Sequence, residues 1–227
     1  EIMDLKGIKK LKYREKNVFE GHDDHGHGHK EHKKHGHDEH KEHGHKEKKH
    51  DDHGHEGHAH SEHDPHVWLD PMNAKVIVKE IENQLVKLDP DNSSKYKTNS
   101  KKIQTELDNL TKNIKKDLKK DLRFVVFHDA YQYFENRFDI KVLGALTVNP
   151  DVLPGAEQLS EIREVIEHEK VNCLFSEPQF NPAIIKSIAK DTKVKTGVLD
   201  PLGATINKGK GMYTKLLSNM YGSFKGC

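Results

Sequence analysis

Three residues in this chain combine side chains that bind metal with local sequence that holds them still: His66, His128 and Asp200. His66 lies in Asp64-Pro65-His66-Val67-Trp68-Leu69-Asp70-Pro71, between two prolines and beside the only tryptophan. His128, in Phe127-His128-Asp129-Ala130-Tyr131, follows the apolar run 122–127. Asp200, in Leu199-Asp200-Pro201-Leu202-Gly203, follows the run 194–199. Two imidazoles and a carboxylate suit Zn2+ by ligand type, with Mn2+ and Fe2+ less favoured. Each residue alone is a weak signal. A histidine after a strand is more often a hydrogen-bonded structural residue, and an aspartate before proline also makes turns. Glu177, in Ser176-Glu177-Pro178-Gln179-Phe180, could support a ligand from behind, cap a helix or neutralise a nearby cation. His168 stands in Glu167-His168-Glu169-Lys170 and reads as exposed, not as a ligand.

The elements that must position these residues are legible in the apolar spacing. Val76, Ile77, Ile81, Leu85 and Leu88 recur at helical period, and Leu88-Asp89-Pro90 ends that helix. A second stripe, Ile103, Leu107, Leu110, Ile114 and Leu118, predicts a helix over 93–119, about 40 Å long at 1.5 Å per residue. From 122 the period changes. Strands are predicted over 122–127, 140–147, 171–176 and 194–199, and helices over 130–138, 156–169, 182–191 and 212–224. Strands alternating with helices indicate βαβ units, a parallel sheet and an α/β fold. His128, Glu177 and Asp200 then fall just past strand C-termini, the edge at which open α/β sheets bind ligands. Residues 1–19 read as a short helix or turn followed by an extended piece over 13–19.

Residues 22–66 hold 17 of the 19 histidines, and this concentration is the second signal for metal. His25, His27 and His29, then His35 and His37, His43 and His45, His53 and His55, and His58 and His60 alternate with small residues, with Lys, Glu and Asp between the clusters. Neutral imidazole ligates borderline metals such as Zn2+, and alternating histidines supply many weak, interchangeable sites. A segment of this composition over 20–63 has little to bury and is expected to be disordered. Its interleaved charges and lack of a plain six-histidine block argue against an expression tag.

Composition excludes several classes. Apolar residues make up 33% of the chain, but the deficit is local to the histidine tract, and about 180 other residues suffice for a core. A net charge of +1, from 38 basic and 37 acidic residues, gives no electrostatic case for nucleic acid. No apolar run is long enough for a transmembrane helix. Cys173 and Cys227 are far apart and outside any Cys-x-x-Cys pattern, which argues against a zinc knuckle and is compatible with a structural disulfide in an oxidising compartment. The chain opens at Glu1 with no visible signal peptide, inside what reads as the end of an element (Ile2, Met3, Leu5, Ile8, Leu11). Upstream sequence is therefore expected.

The four stretches around His66, His128, Glu177 and Asp200, with a charged His-rich loop immediately before the first, resemble the zinc-specific solute-binding proteins of ABC importers. The resemblance covers nearly the whole chain, from Asp4 to Cys227. It implies two α/β lobes with parallel sheets and flanking helices, joined by one long helix, with the metal between them. In those terms 1–92 is a remnant of the first lobe including the loop 20–63, 93–120 the interlobe helix and 121–227 the second lobe. It carries over His66 as a ligand from the first lobe and His128 from the second. Manganese-binding relatives hold a glutamate at the position of His128, so histidine there implies zinc. Asp200 matches the carboxylate position, a ligand or one replaced by water. Cys173 and Cys227 match a disulfide seen in some zinc members. The family's first lobe opens with several βα units, one of which supplies a further histidine; an N-terminally incomplete first lobe is therefore expected here.

The leading reading is a monomeric, periplasmic or otherwise extracytoplasmic receptor that captures Zn2+ and delivers it to an ABC permease. The alternative is a zinc buffer or chaperone in which the histidine tract does the main work. A zinc hydrolase is disfavoured, because the chain has neither a His-Glu-x-x-His helix nor a Gly-x-Ser-x-Gly turn.

Overall fold

The structure is a computed structural model and describes residues 1–19, 62–119 and 121–227. The expectations for His25, His27, His29, His35, His37, His43, His45, His53, His55, His58 and His60 lie outside the described residues.

A fixed start organises the first helical pair. Asp70 accepts the backbone N–H of Met72 at 2.8 Å and Pro71 occupies the first helical position, so α1 (Pro71–Leu88) begins where its free N–H groups are met. The Asp89-Pro90 turn reverses the chain into α2 (Ser93–Asp117), which packs back along α1. Its 25 residues span about 37 Å. The helix stops two residues short of the predicted end because Leu118 turns extended and swings into the core.

Beyond α2 the elements alternate as β1 (Arg123–His128), α3 (Gln132–Phe138), β2 (Lys141–Thr147), α4 (Ala156–His168), β3 (Cys173–Ser176), α5 (Ala183–Thr192), β4 (Lys195–Val198) and α6 (Met212–Lys225). The four strands form one parallel sheet in the order β2-β1-β3-β4. The alternation of β1 sets up its two faces. Phe124 and Val126 join the core containing Leu107, Ile114, Phe134, Leu217 and Phe224, supplied by α2, α3 and α6. Val125 and Phe127 face the core made with Ile162, Ile166, Ile185 and Ile188 of α4 and α5. Cys173, on the α6 side of the sheet, is disulfide-bonded to Cys227, with Cα atoms 5.9 Å apart.

The N-terminal extended piece closes one edge of this sheet. Val18 bridges Gly144 in antiparallel sense, Phe19 donates to the carbonyl of Leu143, and the Asn17 side chain donates to the carbonyls of Ala145 and Leu146. The approach requires glycine at 144, since a Cβ there would lie 2.8 Å from the Asn17 carbonyl oxygen. The predicted helix 130–138 starts later, at Gln132. Ala130 donates to the carbonyl of His128 in a tight turn, and Tyr131 takes the N-cap position without a side-chain cap.

Candidate metal centre

His128 is the last residue of β1 and Glu177 follows β3 directly, so two adjacent parallel strands deliver them to the same edge. The Glu177 carboxylate lies 2.7 Å from His128 Nδ1, and both side chains are buried. His66 reaches this edge from a different part of the chain. The short 3₁₀ turn Val67–Leu69 after it buries Val67 and Leu69 in the α3–α6 core. Trp68 Nε1 donates to the carbonyl of Pro201 at 3.0 Å, and Tyr213 donates to the carbonyl of Trp68 at 2.6 Å. Arg137 of α3 grips Asp70 with two contacts of 2.7 Å. The stretch around His66 is thereby fixed to α3, to α6 and to the loop of Asp200.

His66 has the same kind of support as His128. Asp64, which is fully buried, lies 2.6 Å from His66 Nδ1. In each ring the carboxylate partner at Nδ1 favours the Nδ1–H tautomer and leaves the Nε2 lone pair as the one able to ligate. The two ring centroids are 5.4 Å apart, with planes tilted by 58°. An imidazole centroid sits about 3.2 Å from a metal bound at its nitrogen, so two imidazoles on one tetrahedral ion are separated by about 5 Å. The observed centroid spacing is close to that separation.

Asp200 is held differently. Its carboxylate accepts from Gln179, from the backbone N–H groups of Ala204 and Thr205, and from the Thr205 hydroxyl, at 2.8 to 3.0 Å. Burial alone would raise its pKa, but these hydrogen bonds outweigh that and hold it below the usual carboxylate value. The oxygens are engaged by the residue's own loop and by Gln179. Among the described residues, no group of three His, Cys, Asp or Glu side chains is gathered around one point. The structure thus brings His66, His128 and Glu177 together and leaves Asp200 on the adjoining loop. His168 is exposed at the end of α4.

Behind the imidazoles lies a buried charge network that the sequence reading did not single out. Arg14 donates to Asp129 at 2.8 Å and to both oxygens of Glu135 at 3.1 and 2.7 Å. Gln132 donates to Asp64 Oδ2 at 3.1 Å. Burial raises Asp129 to about 6 and Glu135 to about 7, partly offset by Arg14, and Asp64 adds negative charge nearby. Asp64 had a readable local signal, an aspartate two residues before a histidine with proline between. Arg14, Asp129, Gln132 and Glu135 are joined across more than 100 residues of sequence, and no spacing rule finds them.

Comparison with known proteins identifies the family. The family described as "Zinc-uptake complex component A periplasmic", ZnuA, matches residues 3–227. The high-affinity zinc uptake system protein ZnuA of Brucella abortus is 45% identical over 226 residues, covering 99% of this chain and 67% of its own length. Among solved structures, the laminin-binding protein Lmb of Streptococcus agalactiae, described as having adhesin and metal transporting activity, superposes with a TM-score of 0.63 at 32% identity. The match covers 72% of this chain and 65% of that one. A crystal structure of ZnuA gives a TM-score of 0.62 at 25% identity, covering 72% of this chain and 60% of that one. The chain thus spans less than two thirds of these two solved proteins and about two thirds of the Brucella relative. With a family match running from residue 3 to residue 227, the chain belongs to the ZnuA family of periplasmic zinc-uptake components.

Proposed function

We propose that this chain captures Zn2+ as cargo between His66 and His128 and presents it to the membrane permease of an ABC importer. The observation that carries the reading is the pair of rings 5.4 Å apart, each with a carboxylate at Nδ1. Asp64 and Glu177 make the rings more basic and fix their orientation, which favours a borderline cation over water. Asp200, joined to the His66 stretch through Trp68 and Pro201, is the proposed carboxylate ligand once it is released from its loop; otherwise water takes that position. In this reading 1–92 and 121–227 contribute to two sides of the site, 93–120 spans between them, and the tract 20–63 collects Zn2+ weakly at several positions.

The decisive experiment is a zinc competition titration of the full chain against a chelator, with the parent and His128→Ala compared. The parent should hold one Zn2+ more tightly than all others, and His128→Ala should lose that site while keeping its melting transition. Equal tight affinity in the two proteins would refute the assignment. Loss of all binding on removal of 22–62 would favour the buffer reading over the receptor.

A further inference from the structure

Consecutive residues at the start of α3 stand behind the two carboxylates. Gln132 donates to Asp64 Oδ2, the oxygen that His66 leaves free. Tyr131, one residue earlier, is fully buried, and its ring centroid is 6.4 Å from that of His128. Its hydroxyl and Glu177 Oε2 are the buried side-chain polar atoms without a hydrogen-bond partner among the described residues. Both groups flank the same ring, Glu177 at His128 Nδ1 and Tyr131 beside it, and Glu177, after burial itself, pushes the tyrosine's pKa well up. A buried hydroxyl and a buried carboxylate oxygen left unpaired are both unfavourable, so a contact between them would be a local gain. Glu177 Oε1 is already engaged by His128, which leaves Oε2 as the oxygen that can complete the contact.

We infer that Tyr131 is a positioning residue for the metal centre: its hydroxyl closes onto Glu177 Oε2 when His128 takes up a cation, locking Glu177 against His128 as Gln132 locks Asp64 against His66. The inference rests on the reading of His128 as a ligand. The coupling is one of position. A cation at Nε2 strengthens the Nδ1–H donor and draws Glu177 onto it, and a phenol donor on the second oxygen holds the carboxylate in that orientation. Tyr131 keeps its proton throughout and touches neither the ion nor the ligand ring nitrogen.

The test is Tyr131→Phe in the full chain, which removes one oxygen and keeps the packed ring. If the hydroxyl were only a structural remnant, its removal would be neutral or stabilising and zinc affinity would not change. The inference expects an unchanged or higher melting temperature without metal together with a zinc Kd raised about tenfold. Tyr131→Phe placed on Glu177→Gln should add little further loss, because both changes break one relay. An unchanged Kd, or full additivity of the two losses, overturns the proposal. The tautomer of metal-free His128 reports on Glu177 without any zinc. A parent protein in which that tautomer is fixed but Zn2+ does not bind would therefore count against the ligand assignment, and the tyrosine's role would fall with it.

Discussion

Asp64 Oδ1 lies 2.6 Å from His66 Nδ1 and accepts the backbone N–H of the same histidine at 2.9 Å. One carboxylate oxygen thus fixes both the main chain and the ring of His66 across the intervening Pro65. The Asp64 main chain is fixed as well: its carbonyl accepts from Tyr133 at 2.7 Å and its N–H donates to Leu11 at 2.9 Å. A loop that would otherwise wander is held at three points, and the imidazole it carries is oriented before any ion arrives.

Asp64→Asn should therefore weaken Zn2+ binding about 10- to 100-fold, the usual cost of losing a carboxylate behind a ligating histidine. The amide is nearly isosteric but carries no charge and makes the ring less basic. Chelator competition on parent and variant measures this. Equal Kd values would show that Asp64 only shapes the loop.

His128→Glu should raise the Mn2+ to Zn2+ affinity ratio. A carboxylate oxygen suits the harder ion and imidazole suits zinc. Glu177 lies 2.7 Å from the present ring, so the variant would also place two carboxylates side by side and benefit more from a cation between them. Paired titrations with the two metals decide it, and a ratio that stays level or falls would defeat the selectivity argument.

The sheet was legible because its signals are local. The largely apolar run 122–127 and the turn chemistry at Asp200-Pro201 are both written in consecutive residues, and the observed strand Arg123–His128 differs from the expected one by one residue at each end. His66 and His128 were legible because proline and a strand end fix them within a few positions. The start of α3 was misplaced by two residues because the turn at Ala130 depends on where His128 must sit, a tertiary demand that overrides helix propensity. The network under the site was not legible at all. Arg14 is one arginine in a charged N-terminal segment, and only the folded chain shows it between Asp129 and Glu135.

Breaking the Cys173–Cys227 bond should loosen α6. The bond joins the start of β3 to the second residue after α6, across a sequence separation of 54. Loop-closure entropy sets an upper figure of about 4 kcal/mol for such a link. Leu216, Leu217, Met220 and Phe224 still bury the helix against the core, so the protein should remain folded but melt earlier. Thermal unfolding with and without reductant, checked against Cys227→Ser, measures the difference. Coincident melting curves would mean that packing alone holds the helix.

Removing residues 22–62 should strip away weaker Zn2+ sites and leave the tight one. The tract's alternating histidines offer many interchangeable positions, whereas His66 and His128 are each fixed by a buried carboxylate. The deletion also removes the surface ion pair of Lys12 with Glu62, which is worth little. Calorimetry at pH 7.5 should lose only the weaker binding phase. Disappearance of the tight phase would place the principal site in the tract.

Glu135 makes the stability of the protein depend on pH in an unusual sense. It is buried, and one guanidinium, Arg14, serves both it and Asp129, with Asp64 adding negative charge nearby. Burial raises Glu135 to about 7 and Asp129 to about 6, both above their ordinary values. The folded state therefore holds a proton that the unfolded chain releases near pH 4.5, so protonation favours folding. That contribution is present in full below the unfolded pKa and is lost as pH rises through about 6 to 7. Between pH 5 and 7.5 metal-free protein should lose stability, at up to about 1.4 kcal/mol per pH unit for each proton released. Glu135→Gln replaces the carboxyl with a neutral group of the same shape and should flatten this slope, leaving the variant at least as stable as the parent at pH 7.5. The measurement is denaturant unfolding at a series of pH values with a chelator present. A parent whose stability rises with pH over that range, or a variant with the same slope, would show that Arg14 keeps both carboxylates ionised.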